Sequence, residues 1–160
     1  MHPIRLSAWH PASLVATWFG CGRLPFAPGT WGSLAAVPIA WGCFRTAGQA
    51  GVLAAAAALF ALGWAASAEY VRRTGRDDPK EVVVDEVAGQ CLVLAAVPDD
   101  PVLYLAGFAV FRVLDIWKPW PASWADRTLP GGLGVMADDA LAALYGALLM
   151  ALAALWWSLP

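Results

Sequence analysis

Residues 50–69, AGVLAAAAALFALGWAASAE, are almost wholly apolar until Glu69. Alanine and leucine favour helix. With a rise of 1.5 Å per residue, roughly 20 such residues reach about 30 Å, enough to cross the hydrocarbon core of a bilayer. Residues 140–158, ALAALYGALLMALAALWWS, form a second segment of near-spanning length, closed by a Trp pair of the kind that anchors helices at membrane interfaces. Two shorter runs, 87–97 and 102–113, flank the turn PDDP. Each would be about 18 Å long as a helix, too short to span alone and better suited to a re-entrant or buried hairpin. The only β-branched run, EVVV, has no partner strand. The expected fold is all-α: one helical-bundle domain over residues 1–160. It has two near-spanning helices, a short helical hairpin, and long polar Gly/Pro-rich loops at one end. Packing of the same segments into a water-soluble bundle is the alternative.

Composition narrows the class. The chain is 60% hydrophobic, has ten Trp, and carries a formal net charge of −2, so it lacks the basic excess of a nucleic-acid binder. Cys21, Cys43 and Cys91 are widely spaced and read as free thiols in a reducing compartment. No long apolar stretch near the start precedes a small-residue cleavage site, so a secretory signal peptide is not expected. Residues 1–30 are dense in Gly and Pro and read as a structured loop, with His2 and His10 as surface residues. Thr30 is a candidate cap for the helix that follows, and Pro38 is expected to kink it.

If the apolar segments alternate up and down, residues 1–30, 70–86 and 112–139 emerge on one side, and the turns at 45–50 and 98–101 on the other. The first side carries Arg5, Arg23, Arg72, Arg73, Arg76, Lys80, Arg112, Lys118 and Arg127, against only Arg45 on the other. It also carries every acidic residue except Asp99 and Asp100. The positive-inside rule makes this face cytoplasmic. A site is expected there.

Three acidic groups share that face, each at the edge of an apolar segment: Asp85–Glu86, Asp115 and Asp138–Asp139. Carboxylates beside apolar helices are costly unless they are paired or ligate something, and oxygen ligands without His or Cys suit Mg²⁺ or Mn²⁺. Helix capping, above all by Asp85 and Asp138, is the competing reading. In FRVLDIWKP, Arg112, Asp115 and Lys118 follow at i, i+3, i+6; continued helix makes Asp115 a neighbour of both cations. This is either a surface ion-pair ladder or a carboxylate flanked by two phosphate-gripping cations, to which Lys80 and Arg23 could add. The glycine stretches APGTWG and PGGLG are either plain turns or backbone nests for phosphate around Gly29, Thr30 and Gly132. Asp77 and Asp78 read as turn and cap residues. The chain has no P-loop, no C-x5-R loop and no D-x-D motif, and its two histidines are confined to the N-terminus. What is left suits metal-assisted chemistry on a phosphate ester.

Four segments together resemble one family: FGCGRLPFAPGTWGSLAAVP, DPKEVVVDEVAGQ, FRVLDIWKPWP and GGLGVMADDALA, reaching from residue 19 to residue 142. They resemble the phosphatidylglycerophosphatase A family of bacterial lipid phosphatases. The resemblance implies a helical protein of the cytoplasmic membrane and Mg²⁺-dependent hydrolysis of phosphatidylglycerophosphate to phosphatidylglycerol and phosphate. Its acidic motif falls on Asp85 and Glu86, its R-x-x-D-x-x-K-P motif on Arg112, Asp115 and Lys118, and its late acidic pair on Asp138 and Asp139. Two departures are Ala143, where the family is expected to carry Gly, and Cys21, where a small residue such as Ser is expected. On this reading Asp85, Glu86, Asp115, Asp138 and Asp139 supply the metal ligands. Lys80, Arg112 and Lys118 bind phosphate, assisted by Gly29, Thr30 and Gly132. Either an activated water or a carboxylate is the nucleophile. The alternatives are a phosphatase for another phosphomonoester, or a non-catalytic membrane scaffold binding anionic lipid. No oligomeric state is implied.

Overall fold

The computed structural model describes residues 6–77 and 79–158, so His2, Arg5 and Asp78 lie outside the described residues. It contains α1 (Pro11–Ala16), a 3-10 turn (Cys21–Arg23), α2 (Pro28–Thr74), α3 (Val84–Leu94), α4 (Pro101–Trp117), α5 (Ala122–Thr128) and α6 (Gly131–Trp157). No strand occurs among the described residues.

Helix α2 is two rods, not one. In a straight helix Gly29 and Gly63 would stand about 50 Å apart. Yet Gly29 lies against Glu86 and Gly63 against Val84, two residues apart at the start of α3. The chain therefore folds back on itself. The reversal is at Ala47 (φ −142°, ψ 15°) and Gly48 (φ 62°, ψ −159°), the second a conformation open to glycine. The reversal falls within the turn expected at 45–50, whereas no interruption occurs at Pro38, which sits inside the first arm, residues 28–46. The second arm, residues 49–74, ends at Gly75 in the left-handed region, whose N–H donates to the Val71 carbonyl at 2.9 Å.

Short α3 is the axis of the bundle. It packs on α2, α4 and α6, and Val87, Cys91, Val93 and Leu94 are fully buried. The core around it uses small side chains from its neighbours: Ala36, Ala40 and Ala56 of α2, and Ala143 of α6. Close helix approach through small residues is how helices associate where water supplies no driving force. The large side chains face outward. On α6, Leu144, Leu148, Leu152 and Leu155 are all exposed, while Ala142, Ala143, Gly146 and Met150 are buried. Helices α2 and α6 are both long and apolar enough to cross a membrane.

Three further expectations are corrected. The helix after the first loop starts at Pro28 with Ala27 as its cap, so Thr30 lies in its first turn and caps nothing. The N-terminal loop contains α1, capped by His10, whose Nδ1 accepts from the Ala12 N–H at 3.2 Å. The stretch PGGLG is not a loop: α6 begins at Gly131, and Gly132 packs against the backbone of Ala68, where a side chain would not fit.

The two ends of the bundle differ in kind. Turns 47–48 and 95–100 meet at one end, tied by an exposed Arg45–Asp99 ion pair at 3.7 Å. The N-termini of α2, α3 and α6 and the C-terminus of α4 converge at the other.

Candidate active site

Asp85 and Glu86 occupy the first turn of α3, where the N-terminal dipole favours carboxylates. Neither caps it: the cap position is Val83, and Asp85 Oδ1 accepts only from the Glu86 N–H, at 3.0 Å. Asp138 and Asp139 lie two turns inside α6, so the capping reading fails there too. Both are nearly fully buried. One carboxylate oxygen each from Asp85, Glu86 and Asp139 fall within 4.8 Å of one another. Burial, then the charges of Glu86 and Asp139, push the Asp85 carboxyl well above the ordinary carboxylate range. Burial likewise raises Glu86.

The other two acids are already paired with cations. Asp115 Oδ2 accepts from Arg112 at 2.5 Å, and Arg112 also donates to the buried Ser33 hydroxyl at 3.3 Å. Lys118 does not face Asp115 as continued helix would require. It terminates α4 in the left-handed conformation (φ 48°, ψ 64°), immediately before Pro119, where the α region is disfavoured. That turn swings its ammonium to Asp138 and, at 2.7 Å, to Asp126. Burial alone would lower the Lys118 pKa; the hydrogen bonds from Asp126 and Asp138 outweigh it and raise it.

These groups surround a cavity of about 560 Å³. Its floor is Asp85, Glu86, Asp115, Asp138 and Asp139, and its cationic wall is Lys80, Lys118 and Arg127. Gly29 lines it at the α2 N-terminus, where a Cβ would lie 2.1 Å from Glu86 Oε1 and 3.2 Å from an Arg112 nitrogen. Glycine at 29 is therefore what lets α2 close onto the carboxylates. Arg112 lies behind this contact, not on the cavity wall. Thr30 and Gly132 do not line it; Gly131 and Gly134 do. Arg23 is turned to the Ser13 hydroxyl at 2.6 Å, away from the cavity.

Asp126 and Arg127 were not among the residues singled out as a site, although both line the cavity. Their signal was charge in the connection that emerges on the polar side. Gln90 was also missed. It is fully buried one turn after Glu86 on the same face of α3, and both its amide atoms lack partners among the described residues.

Buried polar atoms without partners mark what the site can take up. Glu86 Oε2, Asp138 Oδ1 and Asp139 Oδ2 are buried and unpartnered among the described residues. Buried carboxylates at this spacing repel unless a cation stands between them, and an all-oxygen donor set suits a hard divalent ion. The residues therefore fit Mg²⁺. Beside them stand cations with the reach to hold a phosphate.

Comparison with known proteins bears on what such a site does. A family model described as Phosphatidylglycerophosphatase A matches residues 14–154. A protein of Escherichia coli (strain K12) named Phosphatidylglycerophosphatase A is 35% identical over 89% of this chain and 83% of its own length. One of Haemophilus influenzae with the same name is 38% identical over 97% and 95%. A Bacteroides thetaiotaomicron protein, provisionally named phosphatidylinositol-3-phosphatase, is 40% identical over 88% and 91%. No solved structure matches the chain.

Proposed function

The chain belongs to the phosphatidylglycerophosphatase A family and is a hydrolase of phosphoric monoesters, and from that premise we propose that it dephosphorylates phosphatidylglycerophosphate to phosphatidylglycerol, with Mg²⁺, at the cytoplasmic face of the inner membrane. The observation that carries this reading is the joining, in one cavity, of three converging carboxylates and a cationic wall, at the polar end of an otherwise apolar bundle.

Asp85, Glu86 and Asp139 would hold the metal, which when bound supplies Lewis-acid stabilisation of charge developing on the phosphoryl oxygens. The chain's own residues do the rest. Lys80 and Arg127 on the wall receive the phosphate. Lys118 adds positive charge while keeping Asp138 oriented. Arg112 fixes Asp115 and, through its contact behind Gly29, the position of Glu86. It acts as a positioning residue for the carboxylate floor. The pocket holds charge in place before the reaction, so little reorganisation is needed as the transition state forms. The nucleophile is either a water or a carboxylate of this floor.

The same geometry supports membrane residence. The exposed Leu stripe of α6 and the outward Trp156 and Trp157 would be a large apolar surface in water but are matched to lipid and its interface. Among the described residues every basic side chain but Arg45 belongs to segments at the site's end, which under the positive-inside rule supports a cavity facing the cytoplasm.

The test is phosphate release from phosphatidylglycerophosphate by the purified protein in mixed micelles, with and without EDTA, against a phosphatidylinositol 3-phosphate control. Release from the first lipid, abolished by EDTA and restored by Mg²⁺, is expected. Undiminished activity after complete chelation would sink the metal assignment, and preference for the control lipid would sink the substrate.

A further inference from the structure

We propose that one acyl chain of the substrate is seated in a specific apolar cleft that opens laterally from the site, between the second arm of α2, α3 and α6. The proposal rests on the lipid-phosphatase reading above and gives it a direction of entry.

The cleft holds about 260 Å³ and is walled by Leu53, Ala57 and Phe60 of α2, Ala88 and Leu92 of α3, and Ala140 of α6. Among the described residues that line it, Asp85 alone is polar. Asp85 also lines the charged cavity, so the two spaces share one residue. The register agrees on every element. On α3, Asp85 and Glu86 face the charged cavity and Ala88, Gly89 and Leu92 the cleft; on α6, Val135 faces the first and Met136 and Ala140 the second. The second arm of α2 runs toward the site, so Phe60 is its nearer end and Leu53 its farther. Seven residues from Asp85 to Leu92 give the cleft a length of about 10 Å along the bundle axis. Leu53 and Ala57 are exposed, so the cleft is open to whatever surrounds the helices.

A ligand that fills both spaces has a phosphate at one end and an alkyl chain at the other, joined near Asp85. That is the chemistry of a phosphomonoester carried on acylglycerol. A second apolar groove, about 510 Å³ between the first arm of α2 and α4, is lined by Val37, Trp41, Tyr104, Phe108 and Asp99. It reaches to the turn end of the bundle and shares no residue with the charged cavity, whereas the cleft shares Asp85 with it. Lipid tails surrounding the helices are as apolar as the cleft, so seating a chain contributes orientation more than affinity. The cleft should therefore separate acylated from deacylated substrate in turnover.

Two variants narrow the cleft from its open side, Ala57→Phe and Ala140→Phe. Each is assayed on dipalmitoyl phosphatidylglycerophosphate in mixed micelles and on the deacylated, water-soluble phosphomonoester. Expected is a fall of about tenfold in kcat/KM on the lipid in at least one variant, with less than a twofold change on the soluble ester. Unchanged lipid turnover in both variants, or equal losses on both substrates, overturns the seat. Independently, phosphatidylglycerophosphate with a diazirine on one chain is photolysed with the wild-type full-length protein, and the labelled peptides are compared with those from a diazirine phosphatidylcholine. Labelling of 53–60 and 88–92 that depends on the phosphomonoester is expected. Such labelling confined to 34–41 and 104–108 overturns the proposal. If the wild type labels as expected but hydrolyses neither substrate, the seat stands and the lipid-phosphatase reading falls.

Discussion

The two ends of the bundle are made from similar parts. Each has helix termini, acidic residues in adjacent pairs, and a cation from a neighbouring element. At the turn end, Asp100 does what an acid at a helix start does best: it caps α4, accepting from the Val102 and Leu103 N–H groups at 2.8 and 3.0 Å. Asp99 meets Arg45 at 3.7 Å in a pair whose Arg side chain is 66% exposed. At the site end, Asp85 and Glu86 also stand at a helix start but leave the cap to Val83 and turn into a shared cavity. The lesson is that an acid at a helix N-terminus declares its role by where its oxygens go. Asp100 spends one oxygen on two backbone N–H groups of its helix, whereas Glu86 Oε2 is buried without a partner among the described residues and Asp85, Glu86 and Asp139 converge as a ligand set would.

The largest expected contrast is in catalysis. Asp85→Asn should lower kcat by a factor of about 10² or more, with thermal stability unchanged or raised because a buried repulsion is relieved. Steady-state phosphate release and a melting curve on the same preparation read both, and normal turnover in a folded variant would refute the role given to Asp85. Next is Lys118→Met, which leaves Asp138 buried without its cation. A loss of about 2 kcal/mol in stability is expected, with much reduced activity. Recovery of stability in the double variant with Asp138→Asn would confirm the pairing. At the opposite end, Asp100→Ala should cost about 1 kcal/mol by loss of the cap, with activity retained. Smallest is Arg45→Ala, for which a change under about 0.5 kcal/mol is expected. Should Asp100→Ala reduce turnover as Asp85→Asn does, the two ends are not functionally distinct and the comparison fails.

Much of this asymmetry was legible in the sequence. The apolar runs located α2, α3, α4 and α6, and the sorting of charge by side located the cavity. The parts that were not legible share a physical cause: they depend on contacts distant in sequence. PGGLG reads as a loop because glycine is a poor helix former. It is helix because Gly132 must let α6 lie on the backbone of Ala68. Pro38 reads as a kink or interruption, yet the first arm runs through it; the reversal falls at Ala47–Gly48, inside the turn expected over residues 45–50. The i, i+3, i+6 spacing correctly joins Arg112 to Asp115, yet it assigns Lys118 to the wrong acid, because one left-handed residue redirects the side chain across to α6. Gln90 was legible in principle, as a lone amide one turn after Glu86 in an apolar run.

The reversal at Ala47–Gly48 also bears on how such a chain is made. Because α2 doubles back there, its two arms can enter a bilayer together as a pre-paired unit, with both polar ends left on the side of synthesis. In the proposed orientation Arg45 would be the only charge near that turn to be carried across, at a cost of about 3 kcal/mol at mid-membrane. Its partner Asp99 comes with the second hairpin, formed by α3 and α4. Asp138 and Asp139 come last, on α6. The contact of Glu86 with Gly29 needs only α2 and α3, but the converging trio of carboxylates is complete only with Asp139, so the site is finished by the last helix of the chain.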